Sequence, residues 1–123
     1  MLSPGLEERI RSELPHLPST QVEELACAVR QLAGAFHPDR IYVFGSLARG
    51  TAGPDSDIDL LVVVPAAAEP TYRLASAAYA ELTPLRLPLE VVFMTRAEFD
   101  ARVPAVASLP GTVLREGKLL YAA

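Results

Sequence analysis

Apolar positions recur along this chain with two different spacings, and the change from one to the other marks where elements begin and end. Leu6, Ile10 and Leu14 fall on one helical stripe that Pro15 stops, which predicts a short helix over 5–14. Thr20 and Glu23 have the spacing of a capping box. Behind them Val22, Leu25, Ala26, Val29, Leu32, Ala33 and Phe36 form a second stripe, predicting an amphipathic helix over 20–35. "RIYVFG" at 40–45 is rich in β-branched and aromatic residues and is cut off by glycine, so it reads as a buried strand. "SLARGTA" follows as a short helix or turn and "GPDS" as a loop. "DIDLLVVV" is then a second strand, apolar on both faces after an acidic start, as a central strand covered by helices would be.

Residues 69–82 place Tyr72, Ala75, Tyr79 and Leu82 at helical spacing, with Pro84 and Pro88 bracketing the exit. "LEVVFM" at 89–94 is a third strand, and Thr95 with Glu98 again has capping-box spacing for a short helix. The remainder reads as one more short helix and an extended or hairpin-like piece around Gly117. This alternation predicts an α/β (α+β) domain built on a small mixed β-sheet flanked by helices.

Composition narrows the picture. With 123 residues, half of them hydrophobic, the chain fits one domain with a real core, spanning 1–123 with its central part at about 40–121. No apolar run is long enough to span a bilayer, and "MLSPGLEERI" lacks the basic and apolar regions of a leader, so a cytoplasmic location without membrane contact is expected. The net charge of −4 disfavours a nucleic-acid partner. The single Cys27 cannot form an internal disulfide and is expected to be a buried helix thiol. His16 and His37 stand beside prolines with no partner at metal-ligand spacing and read as loop residues. Tyr42, Tyr72, Tyr79 and Tyr121 read as packing residues.

The chemistry lies where the second strand begins. Side chains alternate across a strand, so Asp57 and Asp59 are held side by side while Ile58 faces the other layer. Two carboxylates at that spacing remain ionised most easily beside a divalent cation, and their oxygen chemistry suits Mg²⁺. Glu90 stands at the start of the third strand in a mirrored position, as a further ligand, a general base, or both. Three acids at neighbouring strand ends could hold two metal ions. Gly45 and Ser46 end the first strand where a helix start can receive a phosphate, and Arg49 could neutralise a phosphate oxygen. Asp55, in the Gly-Pro-Asp loop, fits a turn role better.

"GSLARGTAGPDSDIDLLV" resembles the signature of the polymerase-beta-type nucleotidyltransferase superfamily, a Gly-Ser followed after about ten residues by Asp-x-Asp, and more narrowly the minimal nucleotidyltransferases. The pattern falls on Gly45, Ser46, Asp57 and Asp59, and the likeness runs from about 22 to 121. The resemblance implies Mg²⁺-dependent transfer of a nucleotidyl group from a nucleoside triphosphate, AMP from ATP being the leading expectation, with pyrophosphate as product. Asp57, Asp59 and Glu90 are the implied metal-binding and catalytic residues, and Gly45, Ser46 and Arg49 the nucleotide-binding ones. Many relatives carry aspartate where this chain has Glu90, one methylene longer. Larger relatives bind the acceptor with an added helical domain, for which 123 residues leave no room. Minimal nucleotidyltransferases commonly pair with a helical HEPN protein in toxin and antitoxin modules. A protein acceptor of that kind is therefore the expected partner, and homo-oligomerisation is compatible with it. The alternative is a non-catalytic antitoxin that neutralises a helical partner by complex formation.

Overall fold

The structure, a computed structural model, describes residues 5–53, 56–82 and 87–123. Asp55 and Pro84 lie outside the described residues. In chain order the elements are α1 (Gly5–Glu13), α2 (Ser19–Phe36), β1 (Arg40–Phe44), α3 (Ser46–Arg49), β2 (Ile58–Val64), α4 (Thr71–Glu81), β3 (Leu89–Thr95), α5 (Arg96–Arg102), α6 (Leu109–Glu116) and β4 (Lys118–Ala122). The strands form one mixed sheet in the order β3-β2-β1-β4. β1 runs antiparallel to β2 and β4, whereas β2 and β3 are parallel and joined through α4.

β2 is the central strand its composition predicts, and alternation divides its apolar residues between two layers. Ile58, Leu60, Val62 and Val64 enter a core with Ile10 and Leu14 from the α1 region, Leu25, Val29 and Leu32 of α2, and Ala78 of α4. Leu61 and Val63 enter a second core with Tyr42, Met94, Phe99 of α5 and Val113 of α6. Tyr42 and Phe99 stack there with ring centroids 5.8 Å apart. A strand buried on both sides is a rigid platform for whatever stands at its ends.

The terminal segment is extended and adds β4 to the outer side of β1. Gly117 makes that turn possible, because a Cβ there would lie 2.7 Å from the Val113 carbonyl oxygen and 2.9 Å from that of Val43. No helix among the described residues is long and apolar enough to cross a membrane.

Several local expectations give way to packing. The Thr95–Glu98 capping box forms as its spacing predicts. The one at Thr20 and Glu23 does not: α2 starts at Ser19 with Pro18 at its N-cap, and the Pro18 carbonyl already receives the Gln21 and Val22 amides. Thr20 is therefore inside the first turn, where it cannot cap. Cys27 is exposed, because the buried stripe of α2 runs through Ala26, Ala28 and Val29 and turns position 27 outward. Tyr72 and Tyr79 are also exposed, since α4 buries only its Ala78 side against the sheet.

Leu60 is fully buried at the centre of the first core. Leu60→Ala is expected to lower stability by about 2–5 kcal/mol through lost burial and the cavity it leaves. Urea denaturation followed by circular dichroism checks this value.

Candidate active site

Three strand ends meet at one edge of the sheet, and their registry places the acidic residues. Asp59 lies opposite Phe44 on β1 and opposite Glu90 on β3. Because Ile58 and Leu60 point into the first core, Asp59 projects from the other face, and Glu90 at the same register projects with it. The helices α5 and α6 cover that face further along the strands, at Leu61, Val63 and Met94. Asp59 is half-buried, while Glu90 and Asp57, the latter just before the strand, are exposed.

Gly45 closes over this pair. Its backbone stands at φ 78° and ψ −155°, a conformation essentially reserved for glycine. A Cβ at position 45 would collide with the Oδ2 atom of Asp59. Gly45 is also the N-cap of α3, with Ser46 the first helical residue, so the chain reverses against the Asp59 carboxylate. The glycine between strand and helix is thus required twice, by backbone sign and by space.

Electrostatics follow from that crowding. Burial pushes the Asp59 carboxyl up to about 6, aided by a hydrogen bond shared with Glu90 and by the negative charges of Glu90 and Asp57. Arg49 pulls the other way but does not prevail. Its guanidinium is half-exposed and stands 3.8 Å from the Glu116 carboxylate at the end of α6. The structure therefore brings Asp59, Glu90 and Gly45 together and sets Asp57 and Arg49 within their electrostatic reach.

This donor set fits a hard divalent cation in its chemistry. It offers only carboxylate oxygens, with Asp59 and Glu90 side by side at one register of the sheet. Among the described residues no group of three or more His, Cys, Asp or Glu side chains is gathered as a closed metal centre.

A cavity of about 680 Å³ opens beside α3. Its floor is apolar, with Leu14, Leu17, Leu47, Ile58 and Leu87, and Asp57, Arg49 and Lys118 reach its wall. Lys118 is a residue that sequence reasoning missed. A lone lysine opening an apolar strand was the available signal, but only the pairing of Lys118 with Val43 brings it beside α3.

Two outcomes test this geometry. Gly45→Ala should destabilise the fold by about 1–3 kcal/mol from backbone strain and drive the Asp59 carboxylate from its place, read by thermal melting and by the Asp59 carboxyl carbon shift. The Asp59 carboxyl, raised when folded, holds a proton that it loses when unfolded above 3.8. Its contribution to the stability of the metal-free chain is therefore full below 3.8 and is lost as pH rises through about 6. Asp59→Asn should flatten the fall in stability between those values in urea titrations at stepped pH.

Residues 22–119 match the nucleotidyltransferase domain family. Among solved structures, a candidate nucleotidyltransferase from Sulfolobus solfataricus aligns over 98% of this chain and 90% of its own, with 19% identity and a TM-score of 0.59. One chain of a toxin-antitoxin solved with AMP-PNP aligns over 79% of this chain and 73% of its own, with 24% identity and a TM-score of 0.51. At these identities the likeness establishes a shared fold. No curated protein matches the chain. Because the family pattern covers most of its length, including the Gly-Ser turn and the aspartates at positions 57 and 59, this chain belongs to the nucleotidyltransferase domain family, within the polymerase-beta-type superfamily.

Proposed function

We propose that the chain is a Mg²⁺-dependent adenylyltransferase, moving AMP from ATP to a hydroxyl on a helical protein partner of the HEPN class. The observation that carries this reading is the Asp59 carboxylate held beneath the Gly45 turn with Glu90 beside it, so that a phosphate at the turn and the acids share one small space. Family membership supports the transfer chemistry, and the toxin-antitoxin likeness supports a protein partner.

In this reading Gly45 and Ser46 receive the triphosphate through the free amides at the start of α3, and Arg49 supplies a cation to its oxygens. Asp57 and Asp59, with Glu90 adjoining, would hold Mg²⁺, which supplies neutralisation of the triphosphate charge when bound. Glu90, exposed at the mouth of the site, accepts the proton of the acceptor hydroxyl. The acceptor oxygen then bonds to the α-phosphorus, the bond from that phosphorus to the bridging oxygen breaks, and pyrophosphate leaves with the electron pair.

The chain incubated with ATP labelled at the α-phosphate, Mg²⁺ and its co-encoded helical partner should label the partner. The Asp57→Asn, Asp59→Asn double variant should label it at least about 100-fold more slowly, in line with the loss of a principal electrostatic element. Equal labelling by that variant overturns the proposal. Absence of nucleotide binding at millimolar ATP in calorimetry, with tight partner binding retained, points to the non-catalytic antitoxin instead.

A further inference from the structure

Tyr79 on α4 is 43% exposed, yet its hydroxyl is engaged: it accepts a hydrogen bond of 2.9 Å from the Val91 amide. That amide belongs to the peptide linking Glu90 to Val91, on β3 at the edge of the sheet. Backbone groups alternate in direction along a strand. The Ile58 amide donates to the Pro88 carbonyl, so Pro88 and Glu90 turn their backbone groups toward β2 and Val91 turns its own outward. The Glu90–Val91 peptide is thus held from inside by the β2 ladder and from outside by Tyr79.

We propose that Tyr79 is a positioning residue for Glu90, fixing the peptide that carries it so that the Glu90 carboxylate stays against Asp59 where the pair can take a divalent cation. The inference rests on the functional reading above and adds a residue to it. Glu90 is exposed and stands on an edge strand, so burial does not fix it. Its registry with Asp59 depends on where the start of β3 lies, and Tyr79 is the side chain that bonds that backbone from the open side.

The other edge of the sheet provides the comparison. Arg9 of α1 donates from Nε to the Leu119 carbonyl of β4 at 2.7 Å, a similar tie on the opposite border and remote in registry from Glu90. If such ties only seal the sheet against pairing with other chains, losing either one should have the same consequence. If Tyr79 positions Glu90, only its loss should reach the metal.

The test compares the full chain with Tyr79→Phe and Arg9→Met. Mn²⁺ binding is followed by water-proton relaxation, and exchange of the Val91 amide by NMR. Tyr79→Phe keeps the ring and removes the acceptor oxygen. It should speed Val91 exchange about tenfold or more and weaken Mn²⁺ binding about fivefold or more, while Arg9→Met leaves Mn²⁺ affinity within about twofold. Faster Val91 exchange with unchanged Mn²⁺ affinity overturns the inference and leaves Tyr79 an edge tie. Equal weakening in both variants overturns it too, as general loosening. Failure of the wild-type chain to bind Mn²⁺ overturns the functional reading itself, a result read without either variant and so separable from the others.

Discussion

The site depends on one enforced proximity: a carboxylate at the mouth of β2 pressed against the backbone of the turn that follows β1. Asp59 is antiparallel partner to Phe44, the last residue of β1, so the reversal at Gly45 must pass directly over it. A half-buried carboxylate in that position resists ionisation, and a second one at the same register on β3 adds to the resistance. The folded chain tolerates this arrangement because β2 beneath it is buried on both faces, and the two cores leave the strand little freedom to swing the acid into water. Stability supplied by "LLVVV" therefore offsets the electrostatic cost of the half-buried acid at "DID", which is how a small domain can keep an acidic cluster in place.

Much of this was legible in the chain because it is local. Strand alternation alone separates Asp59 from Ile58, and the run of apolar residues behind them already requires a two-sided strand. Gly45 could be identified as a turn glycine from "VFGS", although its contact with Asp59 could not, since that contact comes from the antiparallel pairing of residues fifteen apart in sequence. The partnership of Asp59 with Glu90 needed the parallel crossover through α4, and the arrival of Lys118 beside α3 needed β4 to join the far side of β1. Both are long-range pairings that residue patterns do not encode singly.

The local expectations that failed did so for a common reason. A capping-box spacing at Thr20 and Glu23 is a motif in isolation, but Pro18 ends the linker early and begins the helix before the motif can act. Cys27 and Tyr72 are apolar enough to enter a core, yet each helix has one contact face, and residues off that face remain in water whatever their composition. Tyr79 was expected only to pack, and the structure gives its hydroxyl a backbone partner on β3. Composition describes what a residue can do, and the helix phase decides which residues are asked.

The placement of α3 links these observations. Its N-cap Gly45 closes over the Asp59 carboxylate, while Leu47, Ala48 and Arg49 of the helix line the cavity, so one short element borders both. Asp57 stands where they meet, contributing charge to Asp59 on one side and a wall residue to the cavity on the other. Arg49, paired loosely with Glu116, is the one cation that acts on Asp59 among its described neighbours, and it also reaches the cavity wall. Any group that draws Arg49 toward the cavity would remove the charge that lowers the Asp59 carboxyl and leave Asp59 more reluctant to ionise. The electrostatics of the acidic pair are therefore tied to the cavity beside α3 through Asp57 and Arg49.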